Sequence, residues 1–216
     1  MVPEGGLQGN DSAQFSLGLL YQEGKGVPKN DAEAAGWVQA AAEKGYVLAE
    51  GELGTLFHDG KGVPKDYVQA GRWWQKAAER GHVYAQYNLA VAYLDGTGVP
   101  QDLQQAAYWF RKSAEQGLAE AQYKLAALYR DGRGLHQDYA EAYFWLNVSA
   151  SGYLPEELVE SAHKDRDEIA MHLSPDKLRE VQDRTRLWSE NAPRVQPNGL
   201  ILPPEQVHQK ALAHTH

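Results

Sequence analysis

Apolar side chains recur along this chain at helical spacing, and the helical stretches themselves recur at a fixed interval. The segment "AQYNLAVAYLDG" (Ala85 to Gly96) sets Ala85, Leu89, Ala92 and Tyr93 along one helical face. A shift of 36 residues superimposes Ala13, Ala49, Ala85 and Ala121, and with them Tyr21, Phe57, Tyr93 and Tyr129. Trp37, Trp73, Trp109 and Trp145 share a third position. A period of about 20 to 50 residues marks stacked units, none of which can bury its apolar face alone. The pattern predicts four units, each a pair of helices.

The polar positions punctuate those helices. The turn "GKGVPK" occurs at Gly24 to Lys29 and again at Gly60 to Lys65, with "GTGVPQ" and "GRGLHQ" in the next two units. A phosphate-cradling loop lies between a strand and a helix and occurs once. This one lies between helices and recurs, so it reads as the hinge of a repeat. The second helix starts after Asn30, Asp66, Asp102 or Asp138, with Glu33, Gln69, Gln105 or Glu141 three residues on. That is a capping-box pattern, expected to satisfy amide groups from both sides. Gly45, Gly81 and Gly117 close the second helices of the first three units, and Gly152 arrives one residue early. Gly18, Gly54, Ala90 and Ala126 keep one first-helix position small, for close helix approach.

These signals divide the chain into a leader (1–8), four repeats (9–152), a helix pair expected to cover the open end of the stack (153–190) and a tail (191–216). In the pair, Pro155 to about Leu173 directs Leu158, Ala162 and Ile169 inward; Ser174-Pro175 opens the next helix, with Leu178, Val181, Thr185 and Trp188 on one stripe. The tail carries four prolines and the isolated apolar string "NGLILPP", and is expected to be either disordered or docked back. Gly9 stands 36 residues before Gly45, so the array either starts abruptly at its first helix or has been trimmed.

The unit from Ala85 to Gly117, "AQYNLAVAYLDGTGVPQDLQQAAYWFRKSAEQG", resembles the Sel1-like repeat, a relative of the tetratricopeptide repeat. That pattern runs A-x-x-x-L-G-x-x-Y-x-x-G-x-G-V-x-x-D, then A-x-x-W and a closing A-A-x-x-G. The resemblance implies an all-α, right-handed α-solenoid that binds other proteins along its concave face as an adaptor, scaffold or immunity partner of a toxin. It further implies a bacterial source. The expected compartment is the periplasm or cell envelope for a chain whose signal peptide has been removed, and the cytoplasm otherwise. No catalytic residue, cofactor or metal comes with the repeat. Departures are local: Gly51 stands where an aromatic is usual, His136 replaces the loop proline and Asn30 the capping Asp. Gly51 and Gly36 suggest softer packing between the first two units.

Composition narrows the partner. Net charge is −8 over 216 residues with no large cluster of Lys or Arg, which argues against nucleic acid and mildly for a basic protein surface. There is no cysteine, hence no disulfide framework or thiolate chemistry. No apolar run reaches the roughly 18 residues of a membrane span.

Positions that vary between units are not fixed by packing, and they nominate the binding surface. Ser16, Glu52, Asn88 and Lys124 form one such row. Leu19, Thr55, Val91 and Ala127 form a second, and Gln22, His58, Leu94 and Arg130 a third. First helices line the groove in the related geometry. The expected partner-binding residues are therefore Glu52, Thr55, His58, Asn88, Val91, Lys124 and Arg130 from these rows, with Tyr87 and Tyr123 beside them. The tryptophan ladder reads as packing between repeats, with Trp74 and Trp188 filling local volume.

Three other features invite chemistry. Glu23, Asp59, Asp95 and Asp131 end the first helices, where the helix dipole disfavours them; they are expected to accept N–H bonds from the glycine loop rather than to form a cation ladder. "SAHK" (Ser161 to Lys164) matches the S-x-x-K of β-lactam-binding enzymes but lacks the S-D-N and K-T-G partners. That leaves a hydrolytic or β-lactam-binding enzyme as the contrasting hypothesis, and self-assembly through Leu200-Ile201-Leu202 as a third. His163 and Asp167 are too few for a closed metal site, and His208, His214 and His216 belong to the tail.

Overall fold

The computed structural model describes residues 10–195 and 201–202. The elements run α1 (Asp11–Glu23), α2 (Asp31–Glu43), α3 (Val47–Asp59), α4 (Tyr67–Glu79), α5 (Val83–Asp95), α6 (Leu103–Glu115), α7 (Ala119–Asp131), α8 (Tyr139–Ala150), α9 (Glu156–Ala170) and α10 (Pro175–Asn191). Two short strands follow, β1 (Arg194–Val195) and β2 (Ile201–Leu202). The chain divides into two compact units, Met1–Gln101 and Asp102–His216.

In the first unit α1 packs on α2, α2 on α3, α3 on α4 and α4 on α5. In the second, α6 packs on α7 and α7 on α8, and α8 carries both α9 and α10. Alanines fill the contacts: Ala41, Ala49, Ala77, Ala106, Ala121 and Ala142 are all fully buried. Small side chains bring backbones close, and the larger residues Leu53, Leu56, Leu89, Phe110, Leu125 and Phe144 fill the remaining core.

The tryptophan ladder divides. Trp109 and Trp145 are buried, whereas Trp37 and Trp73 are only half-buried. The uniformly buried row lies one residue later, at Val38, Trp74, Phe110 and Leu146. One residue is about 100° of helix rotation, so the two rows face different neighbours. Trp73 packs on the core of α2 and α3, an inter-repeat contact. Trp74 faces its own hairpin: a Cβ on Gly54 would stand 2.4 Å from the indole Cδ1. Gly54 is the space the indole occupies.

The second-helix caps differ from the reciprocal capping box. Asn30, Asp66, Asp102 and Asp138 each accept two amide N–H bonds through the side chain. The N–H groups of Asn30, Asp66 and Asp138 donate to the carbonyls of Tyr21, Phe57 and Tyr129 on the preceding first helix. The return arm is thus supplied by backbone, which ties the two helices of a hairpin together.

One expectation about the loops changes. The amides of Gly24, Gly60 and Gly96 donate to Leu20, Leu56 and Ala92, so the helix-end carboxylates are not needed for them. Glu23 pairs with Lys25, Asp59 with His58 and Asp131 with Arg130 instead. The missing side chain of Gly51 makes room for the His82 ring, whose Cε1 would lie 2.7 Å from a Cβ there.

At the C-terminal end α10 lies over the fourth repeat. Val181 is buried, and Trp188 meets Phe144 and Trp145 edge-on at 5.8 and 5.4 Å between centroids. Arg184 sits over the Phe144 ring and pairs with Glu141. Beyond it, β1 and β2 pair antiparallel, and buried Val195 donates its N–H to the Gly117 carbonyl. The backbone of Ile201 and Leu202, nominated for insertion into a neighbour, is thereby paired within its own chain. The leader, Leu200 and the three tail histidines lie outside the described residues.

Candidate functional site

Five of the nine nominated residues line one groove in the first unit. Thr55 and His58 come from α3, and Tyr87, Asn88 and Val91 from α5. The cavity volume is about 350 Å³, within the usual range for small binding sites. On α5 the lining residues Tyr87, Asn88, Val91, Ala92 and Asp95 follow helical spacing, so the groove runs toward that helix's C-terminus. Trp74 of α4 adds an aromatic wall, and Asp59 and Asp95 make one end acidic.

The side chains are positioned by neighbours. Thr55 donates its hydroxyl to the Gly51 carbonyl at 3.3 Å. The His58 ring rests against Tyr67 and Trp74 at 5.3 and 5.4 Å between centroids, and its Nδ1 lies 2.7 Å from Asp59 Oδ1. The ring contacts tie α3 to α4 along this side of the groove. Glu52 lies outside this groove and accepts a hydrogen bond from Gln22 Nε2 at 3.1 Å.

Two of the nominated residues of the second unit, Tyr123 and Arg130, converge on Asp165 of α9. Tyr123 donates its hydroxyl to Asp165 Oδ2 at 3.3 Å, and Arg130 Nη1 meets Asp165 Oδ2 at 2.9 Å. Arg130 also pairs with Asp131 at 2.7 Å. Burial, and then the Asp165 charge, raise the Tyr123 pKa; the Asp131 hydrogen bond holds Arg130 firmly protonated. Lys124 is half-buried. Here α9 supplies the counter-charge, so the face around Arg130 is internally neutralised.

A buried polar row went unread in the sequence, although the 36-residue register contains it: Gln14, Glu50, Gln86 and Gln122. Gln86 and Gln122 donate to the carbonyls of Ala78 and Ala114, at the end of the preceding second helix. Glu50 instead accepts from Arg80 at 3.1 Å, and Gln14 from Lys44 at 2.9 Å. Gln86 and Gln122 thus close helix ends across a repeat boundary, while Gln14 and Glu50 meet the end of the second helix of their own repeat.

Ser161, His163, Lys164 and Asp167 are exposed on α9. An activated serine needs a base and an oxyanion site walled off from water, and these positions are open to solvent. Among the described residues no group of three or more His, Asp or Glu is placed to hold a metal ion, and no helix is long and apolar enough to cross a membrane.

The family model for the Sel1 repeat matches residues 11–46, 47–82, 83–118 and 119–152. Among solved structures, a protective antigen of uropathogenic Escherichia coli displaying an SLR fold is 33% identical with a TM-score of 0.74. The match covers 85% of this chain and 38% of that protein, so the chain spans well under half of that relative's length. A Sel1 repeat protein from Oxalobacter formigenes is 27% identical, with a TM-score of 0.64 over 83% of this chain and 79% of the other. No curated protein matches. Sel1 repeat proteins commonly mediate protein–protein interaction and are generally scaffolds rather than enzymes. With four consecutive repeats accounting for most of its length, this chain belongs to the Sel1 repeat family.

Proposed function

We propose that this protein is a non-enzymatic interaction module, an adaptor or immunity-type binder, that engages a protein partner through the first-helix face of its repeats. The groove between α3 and α5 carries the reading. It gathers Thr55, His58, Asn88 and Val91, residues that packing does not hold constant from repeat to repeat, with Tyr87 beside them. Rigid helices present the lining, and a preorganised surface limits the ordering cost of binding. Its aromatic and amide content resembles that of interface centres, where Tyr and Trp contribute most.

The test uses the protein as bait with its Val91→Arg counterpart, folding being verified by circular dichroism. Arginine at position 91 fills the groove without touching the buried core. A partner captured by the wild type should fall at least tenfold on the variant. Equal capture by both baits would remove the groove from the reading. Charge reversal at Lys124 reports separately on the second unit.

A further inference from the structure

We infer that the α3–α5 groove receives a lysine or arginine side chain of an extended partner segment, with an aliphatic neighbour of that residue against Trp74 and Val91. The inference rests on the groove being the interaction site and adds the chemistry it selects. Its acidic end combines two carboxylates with two helix termini. Asp59 and Asp95 are the last residues of α3 and α5, and both line the cavity. Each helix C-terminus carries roughly half a negative charge of its own, which favours a cation within the last turn.

Those carboxylates are not taken up by the glycine loops, although Asp59 Oδ1 meets His58 Nδ1 at 2.7 Å. The loop amides that follow them are satisfied by Leu56 and Ala92 carbonyls. Neither lysine nor arginine lines the groove. Beside the groove's acidic end stand His58, whose Nδ1 lies 2.7 Å from Asp59, and Lys65, which lies over the Tyr67 ring at 5.6 Å from its centroid. The equivalent end in the second unit behaves differently, because Arg130 reaches Asp131 there. A cation from this protein's own α7 thus meets the aspartate corresponding to Asp95, and the register places Leu94 where that arginine would be. The first unit offers the same acidic end with an aliphatic residue in the arginine's place, which leaves the cation to be brought by a partner.

The rest of the lining fits the remainder of such a segment. The wall of Trp74, Val91 and Ala92 suits the methylene stem of the basic residue and its aliphatic neighbour. Asn88, further along the same stripe, offers both a donor and an acceptor to an extended backbone.

Fluorescence anisotropy with three labelled peptides tests this on the full chain. Each is a Gly/Ser dodecamer with a central Leu-Arg, Leu-Gln or Leu-Glu. The Leu-Arg peptide should bind at least tenfold more tightly than the Leu-Gln peptide, with affinity falling as salt rises. Asp59→Asn with Asp95→Asn should erase that preference while leaving Leu-Gln binding unchanged, and Val91→Arg should abolish both. If Leu-Gln or Leu-Glu binds as well as Leu-Arg and Val91→Arg blocks it, the groove is a binding site but cation selection is wrong. If no peptide binds, or Val91→Arg changes nothing, the cation inference fails together with the groove reading.

Discussion

At the scale of single residues, side chains here are chosen against their repeat neighbours, and His82 illustrates the point. It precedes α5, where its Nδ1 accepts the Ala85 amide at 3.1 Å, and its ring fills the space left by Gly51. Only a neutral imidazole can accept at Nδ1. Burial lowers the His82 pKa below the ordinary 6.5, which is consistent with that role. The unfolded chain therefore binds a proton at a higher pH than the folded one. Stability contributed by neutral His82 is complete above pH 6.5 and is lost as pH falls through that value, levelling off below the folded pKa. His82→Asn keeps a capping acceptor but cannot titrate. Urea unfolding between about pH 7.5 and 5 should show the wild type losing stability relative to the variant, by an amount on the order of the ~1 kcal/mol of a helix cap. Parallel pH profiles for the two proteins would rule out this role. The sequence displays Gly51 as a local departure and gives no link from it to His82, because nothing in a one-dimensional pattern says that one fills the other.

At the scale of elements, the repeated turn is legible as a hinge, but half of its purpose is spatial. The first glycine of each Gly-x-Gly ends a helix in the left-handed region, as at Gly96 with φ +73°. The second does more. A Cβ on Gly98 would lie 2.0 Å from the Tyr67 carbonyl oxygen, at the start of α4 in the preceding repeat. Gly62 stands in the same relation to Asp31, and Gly134 to Leu103. The second glycine is therefore the seat on which one repeat rests against the previous one. Gly26, the first of the series, has φ +75° but no described atom within 4 Å of its Cβ position. This separates backbone strain from collision. Gly26→Ala should cost about 1–2 kcal/mol, the price of a left-handed alanine. Gly98→Ala should cost that and the steric displacement besides, about 3 kcal/mol or more. Denaturant midpoints measure both, and equal losses would show that the contact is soft. The capping box teaches a similar lesson: the Asp side chains were readable, but their return partner is a carbonyl, which has no letter in the sequence.

At the scale of the whole molecule, periodicity makes the fold legible and makes the site only half so. Four copies of one pattern fix the hairpins, and comparing the copies nominates the variable residues Thr55, His58, Asn88 and Val91. What comparison misses is the second helix reaching into the groove. Trp74 reads as filler until Gly54 is seen to yield it space, and the small-opposite-large pair was the available signal. Asp59 and Asp95 repeat in every unit, so they read as structural, although their end of the groove gains its character from what stands beside them. The far end of the array presents the complementary problem, an apolar surface with no following repeat. In the second unit α10 covers it through Val181, Trp188 and the Arg184–Glu141 pair over Phe144. Ending the chain after Leu173 removes that cover, whereas ending it after Ala192 removes only the segment containing Val195. Trp188 is half-buried, so losing its contacts should cost less than a fully buried Trp→Ala change, about 3–5 kcal/mol, with the loss of buried Val181 added to it. The shorter chain should melt well below the wild type, bind a dye for exposed apolar surface and scatter light increasingly with concentration. The longer chain should stay monodisperse with a modest drop in melting temperature. If the chain ending at Leu173 matches the full protein in melting and light scattering, the fourth repeat closes its own core and α10 serves another purpose.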